Sequence, residues 1–251
     1  MILLTSGSGT ALAAHSPFAG TWKLDLAKSK LTGDTLTYSK IPGGLRYSNG
    51  STVAYDITMD GKDHPTMFDR TAAWSNDGKN AWTTVTKAHG VVMSRTHRSL
   101  SADGKTLTAT YVESRPDGST VRESDTFTRT SGGAGLVGTW KNTGAKPASF
   151  VMNISIPASG RFEIAYPADK TSVSGKTDGS AAPFTGPTAP PGATSHVKAA
   201  GPRRWMIDGT AKGKTYFTGD ITVSADGKTL TRTTWVPGKA LEKTVEVFDR
   251  A

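Results

Sequence analysis

Histidines and nearby carboxylates are the residues of this 251-residue chain that offer acid–base or metal chemistry most directly. Residues 60–64 (DGKDH) supply the carboxylate and imidazole groups that metal ions take as ligands. The corresponding residues of the second half, 178–182 (DGSAA), keep the Asp-Gly turn and lack the second Asp and the His. We therefore interpret Asp63 and His64 as part of a solvated loop, with a metal or catalytic site as the alternative.

Arg95 and His97 form the second candidate constellation. Residues two apart on a strand share one face, so this pair would lie on the same face as Val91 and Met93. If that face points into a barrel, Arg95 and His97 become polar anchors in an apolar cup, and His97 is the candidate base of a barrel enzyme. His89 and His97 would lie about 26 Å apart on a continuous strand, too far to share a metal ion.

The sequence lacks the motifs of several enzyme and cofactor classes. It has no cysteine, which excludes thiolate catalysis, disulfides and cysteine-ligated metals. It has no Gly-x-Ser-x-Gly or His-Glu-x-x-His string. Each Gly-Lys-Thr string lacks the earlier glycine that a phosphate loop requires. We predict no catalytic residue, no metal and no cofactor, and favour a non-enzymatic function.

The positive charge of the chain is spread along it. The net charge is +9, from 30 basic and 21 acidic residues, and the strongest basic-aromatic cluster, residues 203–205 (RRW), holds only two charges. A nucleic-acid-binding protein usually shows a basic stripe with interleaved aromatic residues. We therefore predict no nucleic-acid partner. No run approaches the roughly 18 apolar residues of a transmembrane helix.

Residues 1–16 have a short apolar start and an Ala-Leu-Ala string at 11–13, which fits the small-x-small pattern of signal peptidase sites. The basic region that precedes such a signal is missing. We interpret this segment as the remnant of a secretory signal, with a disordered arm as the alternative. The interpretation predicts a periplasmic or secreted protein.

Asp-Gly turns separate the β-rich runs that must position any site. The octapeptide SADGKTLT occurs at 101–108 and again at 224–231, and Asp-Gly occurs seven times in all. Asp-Gly between β-rich runs is a strong signal for a hairpin. The chain therefore reads as a series of antiparallel hairpins.

The same landmarks occur twice in the same order. The string GTWK at 20–23 returns at 138–141, and FTR at 127–129 matches FDR at 248–250. A Gly-rich stretch at 130–135 has the composition of a linker. We predict two domains, 17–131 and 132–251. The second also carries a Pro-rich stretch at 181–193, which is typical of a long loop.

A first strand opening Gly-x-Trp and a last strand ending Phe-x-Arg resemble the lipocalins and the wider calycin group. The resemblance implies all-β, tandem up-and-down (lipocalin-like) barrels, in each of which the Trp is covered by the basic side chain. It assigns Gly20, Trp22 and Arg129 to one barrel, and Gly138, Trp140 and Arg250 to the other. The Thr-Asp-Tyr loop motif of lipocalins is missing, so the resemblance assigns no ligand.

An eight-stranded barrel either fills with its own side chains or holds one small ligand. The first hypothesis is an exported binding protein for a small apolar or amphipathic molecule. The alternatives are an interaction module for an envelope protein partner, with filled barrels, and the barrel enzyme described above. The candidate ligand-binding residues are Trp82, Met93, Arg95, His97, Tyr111, Trp205, Phe217 and Trp235.

Overall fold

The computed structural model describes residues 16–50, 53–189 and 191–251. Over these residues the chain is all-β, with one 3-10 turn at Pro167–Asp169. No helix in the described part is long and apolar enough to span a membrane. The predicted signal remnant lies outside the described residues except for Ser16.

Twenty antiparallel strands build the molecule. They are β1 (Gly20–Lys30), β2 (Thr35–Ile41), β3 (Gly44–Ser48), β4 (Ala54–Ile57), β5 (His64–Pro65), β6 (Arg70–Asn76), β7 (Ala81–Ala88), β8 (Val91–Leu100), β9 (Thr106–Ser114), β10 (Thr120–Ser131), β11 (Gly138–Lys146), β12 (Val151–Ser155), β13 (Arg161–Tyr166), β14 (Thr171–Lys176), β15 (Asp178–Thr185), β16 (Ala193–Gly201), β17 (Arg204–Ala211), β18 (Lys214–Val223), β19 (Thr229–Trp235) and β20 (Thr244–Arg250). Within the Pro-rich stretch predicted as a long loop, residues 181–185 belong to β15 and residue 193 to β16, and the connection between these two strands takes up the rest.

The strands form two ten-stranded sheets, which confirms the predicted all-β fold with two barrels. One sheet is a closed barrel of β1 and β12–β20, called here the second barrel. The other, called the first barrel, runs in the order β4-β3-β2-β11-β10-β9-β8-β7-β6-β5. Its edge strands β4 and β5 are not paired with each other. Each sheet has ten strands where eight were expected.

The barrels do not coincide with the sequence repeats. The repeats correspond to β1–β10 and β11–β20, but β1 lies between β20 and β12, and β11 lies between β10 and β2. The first barrel is therefore the continuous segment 35–146, inserted between β1 and the rest of the second barrel. The Gly-rich stretch predicted as a linker lies at the turn from β10 to β11, within the first barrel.

This exchange of first strands corrects the predicted contacts of the two tryptophans. Trp22 lies opposite Arg250 in the β1–β20 ladder, with the guanidinium 4.1 Å from the ring centroid. Trp140 lies opposite Arg129, also at 4.1 Å. The predicted pairs Trp22–Arg129 and Trp140–Arg250 are therefore wrong, while the predicted type of contact is present in both barrels. Because β1 and β11 share the string GTWK, either strand has the side chains for either position.

Each of these arginines joins three parts of its barrel end. Arg250 Nε donates to the Gly227 carbonyl (2.6 Å) in the repeated hairpin, and Nη2 donates to the Pro17 carbonyl (2.6 Å) ahead of β1. The indole of Trp22 donates to the Phe18 carbonyl at 2.8 Å. The guanidinium thus holds the hairpin and the start of β1 against the indole.

The first barrel repeats this arrangement with residues from both repeats. Arg129 Nε donates to the Gly104 carbonyl (2.7 Å) and Nη2 to the Gly135 carbonyl (2.6 Å). Trp140 donates to the Leu136 carbonyl at 2.8 Å. Gly138 has a φ of +138°, and a Cβ there would collide with the Ser131 carbonyl and press on the guanidinium. Glycine is therefore required where the strand enters beneath the arginine.

We expect Trp140→Ala to lower the stability of the first barrel by about 3–5 kcal/mol, because a fully buried indole is lost from its end. The sequence repeats instead place Trp140 in the second predicted domain, and they would therefore predict the loss of stability there. Hydrogen exchange should show reduced protection in β2 and β10, with β12–β20 retained. Trp22→Ala is the matched control and should show the opposite distribution. If Trp140→Ala instead reduced protection only in β12–β20, Trp140 would belong to the second barrel and the strand order described here would be contradicted.

Candidate functional site

The first barrel contains a cavity of about 270 Å³ above its packed end. Four tyrosines, one arginine and four apolar side chains form its walls. The lining residues are Leu36, Tyr38, Tyr47, Val53, Tyr55, Arg98, Leu107, Tyr111 and Phe127. The volume is just below the range of about 300–1,000 Å³ that is usual for drug-sized ligands. The cavity therefore suits a small molecule.

Arg98 is the charged residue of this cavity. Its Nη1 donates to the buried Thr84 hydroxyl at 2.7 Å, and its guanidinium lies 4.5 Å from the centroid of the buried Trp74 ring. No carboxylate of the described residues forms an ion pair with Arg98. The residues outside the description contain no Asp or Glu. Arg98 is thus a partly buried cation without an anionic partner in the chain.

Tyr38, Tyr47 and Tyr55 lie on the successive strands β2, β3 and β4, and their rings pack against one another at tilted angles. Ring centroids are 5.6 Å apart for Tyr38 and Tyr47, and 5.1 Å apart for Tyr47 and Tyr55. Burial raises the pKa of Tyr55 to about 12, and it also raises the pKa values of Tyr47 and Tyr111. These phenols remain protonated at neutral pH and keep their hydroxyl donors.

Trp74 contributes a further donor to this region. Its Nε1 is buried and makes no hydrogen bond within the described residues. The Tyr55 hydroxyl lies close enough for the indole to oppose, weakly, the effect of burial on the pKa of Tyr55. The ring also packs edge-on against Tyr38, with centroids 6.3 Å apart. Trp74 is not among the residues that line the cavity, so its ring supports the Arg98 guanidinium from behind the cavity wall.

The second barrel has a cavity of about 230 Å³ with balanced charge. Arg232 lines it and forms a bidentate pair with Glu246, at 2.5 and 2.8 Å. Its Nη1 also donates to the Tyr166 hydroxyl at 3.2 Å. Burial opposes the charge on Arg232, but the carboxylate of Glu246 outweighs it and raises the pKa of the guanidinium.

Arg98 and Arg232 belong to equivalent cross-strand pairs of the two repeats, but they occupy opposite members of those pairs. Arg98 on β8 faces Ala109 on β9, whereas Ile221 on β18 faces Arg232 on β19. Both pairs are related by an offset of 123 along the chain. Each barrel therefore carries one inward arginine at this level, placed on the other strand of the hairpin.

The counterpart of Glu246 in the first repeat is Asp125, at an offset of 121. Asp125 lies beside Tyr111 and Asn142, and burial raises the pKa of its carboxyl while both neighbours act against that shift. It forms no ion pair with Arg98. The first barrel thus has a carboxylate at the corresponding position but does not use it to neutralise its arginine.

A third, larger cavity of about 510 Å³ lies between the barrels. Carboxylates of the first barrel face aromatic side chains of the second across it. Glu113, Glu123 and Asp125 stand on one side, with Phe150 and Tyr166 on the other. The pKa of Glu113 is raised by burial and by the nearby charges of Glu123 and Asp169.

The Arg98 cavity lies beside the open edge of the first barrel. Tyr55 on edge strand β4 lines the cavity, and β5 is only two residues long, so it pairs with β6 as far as Ala72 and leaves Trp74 beyond its end. Outside the edge, Phe68 packs edge-on against Tyr216 of the second barrel, with centroids 5.6 Å apart. Phe68 has a φ of 60°, a strained conformation for an aromatic residue.

The structure places Arg95 and His97 outside the barrel. Arg95 is exposed, and His97 lies 3.6 Å from Asp77 on the outer surface. The inward residues of β8 are Thr96 and Arg98, one position away. The hypothesis of an inward Arg95–His97 pair is therefore wrong, because a shift of one residue turns every side chain to the opposite face.

The other predicted site residues fall into three groups. Tyr111 lines the Arg98 cavity and Phe217 lines the second-barrel cavity. Trp82 and Trp205 belong to the packed cores of the first and second barrels, and Trp205 stacks on Phe18 with ring centroids 3.8 Å apart. Met93 and Trp235 lie away from both cavities.

Asp63 and His64 have separate partners. His64 Nε2 contacts Asp60 at 2.9 Å, and Lys87 donates to Asp63 at 2.8 Å. Asp63 and His64 therefore belong to different surface pairs, and His64 lies on strand β5 while Asp63 precedes it.

Sequence reasoning missed Arg98, Trp74 and the tyrosines Tyr38, Tyr47 and Tyr55. The tyrosines carried a usable signal, because they recur at intervals of nine and eight residues, close to the repeat of a hairpin. In the structure they are direct cross-strand neighbours. Arg98 had no such signal, since its direction depends on the register of β8.

Comparison with known proteins returned no match to a protein-family model, a curated protein or a solved structure.

Proposed function

We propose that this protein binds a small organic molecule inside the first barrel and catalyses no reaction on it. The observation that carries the proposal is the aromatic cavity around Arg98, which combines a cation, four phenol groups and an apolar wall. A pocket of this kind, with few convergent polar groups, is the usual form of a small-molecule site.

The chemistry of the walls supports binding over catalysis. The cavity presents phenols that stay protonated and a guanidinium that stays charged. Neither group is an effective base at neutral pH. The imidazole considered for this role, His97, lies on the outer face. Export to the periplasm or the medium belongs to the same proposal and is supported by the small-x-small string at 11–13.

The cavity of the second barrel is the natural comparison. It has a similar volume, but its arginine is already paired with Glu246 and bonded to Tyr166. Filling each cavity separately therefore tests where the ligand binds.

Native mass spectrometry and ligand-observed NMR with a panel of small aromatic compounds would test the proposal. We expect binding by the unmodified protein and loss of binding in Val53→Trp, which fills the first cavity. Thr234→Trp, which fills the second cavity, is the matched control and should bind normally. Absence of binding across the panel, or loss of binding only in Thr234→Trp, would refute the proposal.

A further inference from the structure

We propose that the molecule bound in the first barrel is an organic anion, whose carboxylate is held by Arg98 and whose aromatic or short aliphatic body packs on the tyrosines. This inference rests on the proposed function and adds the chemical class of the ligand.

Arg98 lacks a counter-charge among the described residues. In the second barrel, Arg232 is neutralised by Glu246 within the barrel wall. In the first barrel, Arg98 faces Ala109 and has no ion pair with any described carboxylate. The undescribed residues hold no Asp or Glu that could supply one. A guanidinium that is partly withdrawn from water without an anion is unfavourable, which favours an anionic partner from outside the chain.

The Arg98 guanidinium has more hydrogen-bond donors than its surroundings accept. Arg98 makes one hydrogen bond to a side chain, through Nη1 to Thr84, and its other N–H groups have no partner among the described residues. A carboxylate has two oxygens and accepts up to four hydrogen bonds, and its geometry matches the guanidinium fork. A cationic or purely donating ligand would leave all these donors unsatisfied.

The rest of the cavity wall is aromatic and aliphatic. Tyr38, Tyr47 and Tyr55 form a continuous aromatic surface, and Leu107 and Phe127 close the cavity towards the packed end. An apolar body removes this surface from water, and flat rings stack on it well. The volume of about 270 Å³ limits the body to roughly one ring or a short chain. A monocarboxylic acid of that size satisfies the charge, the donors and the wall together.

Three compounds of similar shape test the charge directly: phenylacetate, phenylacetamide and phenethylamine. Isothermal titration calorimetry on the full chain should give phenylacetate an affinity at least tenfold above that of the neutral amide, as expected for a charge-assisted hydrogen bond. The amine should bind most weakly. In Arg98→Met this preference should disappear, while Arg98→Lys should keep part of it.

Arg95→Met is the matched control, because it removes an exposed arginine from the same strand and lowers the net charge by the same amount as Arg98→Met. It should leave the preference for phenylacetate unchanged. Thermal unfolding of each variant checks that it is folded. Equal binding of the acid and the amide, unaffected by Arg98→Met, would overturn the anion inference and leave the proposed function in place. If neither these compounds nor the wider panel binds, the proposed function fails with it.

Discussion

A chain of residues 147–251 alone should fail to fold, and it should fold when a synthetic peptide of residues 16–30 is added. These residues contain every strand of the second barrel except β1. Without β1, strands β12 and β20 keep unpaired edges and the barrel loses the fully buried Trp22. The peptide restores both ladders and the contact with Arg250, as a donated strand does in strand addition.

Far-ultraviolet circular dichroism and urea unfolding measure this result, with a cooperative transition expected only in the mixture. A peptide carrying Trp22→Ala is the matched control and should complement much more weakly. A peptide of residues 136–146 should compete with residues 16–30, because β1 and β11 share the string GTWK. Cooperative unfolding of residues 147–251 without any peptide would show that β1 is dispensable and would contradict the argument.

The first barrel should behave differently, because its ten strands are continuous in the chain. Residues 33–148 include both neighbours of β11 and the Trp140–Arg129 contact. This segment should therefore fold without a partner peptide. The contrast between the two segments separates the strand exchange from a general loss of stability on truncation.

The same substitution at the two inward arginines should change the stability by very different amounts. Arg232→Met should lower the free energy of unfolding by about 3–5 kcal/mol, because it leaves the Glu246 carboxylate buried without its partner. Arg98→Met should change it by less than about 1 kcal/mol, since no buried anion is abandoned and the methionine still fills the cavity wall.

Urea unfolding of both variants at neutral pH measures the difference. The double variant Arg232→Met with Glu246→Leu should recover much of the loss, because replacing both members of a buried pair by apolar groups is often neutral. A loss for Arg98→Met as large as that for Arg232→Met would mean that Arg98 already has an anionic partner within the protein. That result would also remove the basis for an external anion.

The pattern of residues along the chain determined much of the fold. Asp-Gly turns between β-rich runs are local signals, and they predicted antiparallel hairpins that the structure contains. The repeated GTWK and Phe-x-Arg strings predicted an indole covered by a guanidinium, and both such contacts occur at 4.1 Å. These features depend on backbone preference and on side-chain type, which a sequence displays directly.

Tertiary structure alone decided the partners and the site. The sequence could not distinguish Arg129 from Arg250 as the partner of Trp22, because both positions offer the same chemistry and only the path of the chain between β1 and β2 selects one. Nor could it direct Arg98 inward and Arg95 outward, since alternation specifies two faces without saying which is buried. The unpaired charge of Arg98 is likewise a property of the folded sheet, because it depends on which carboxylates reach the interior.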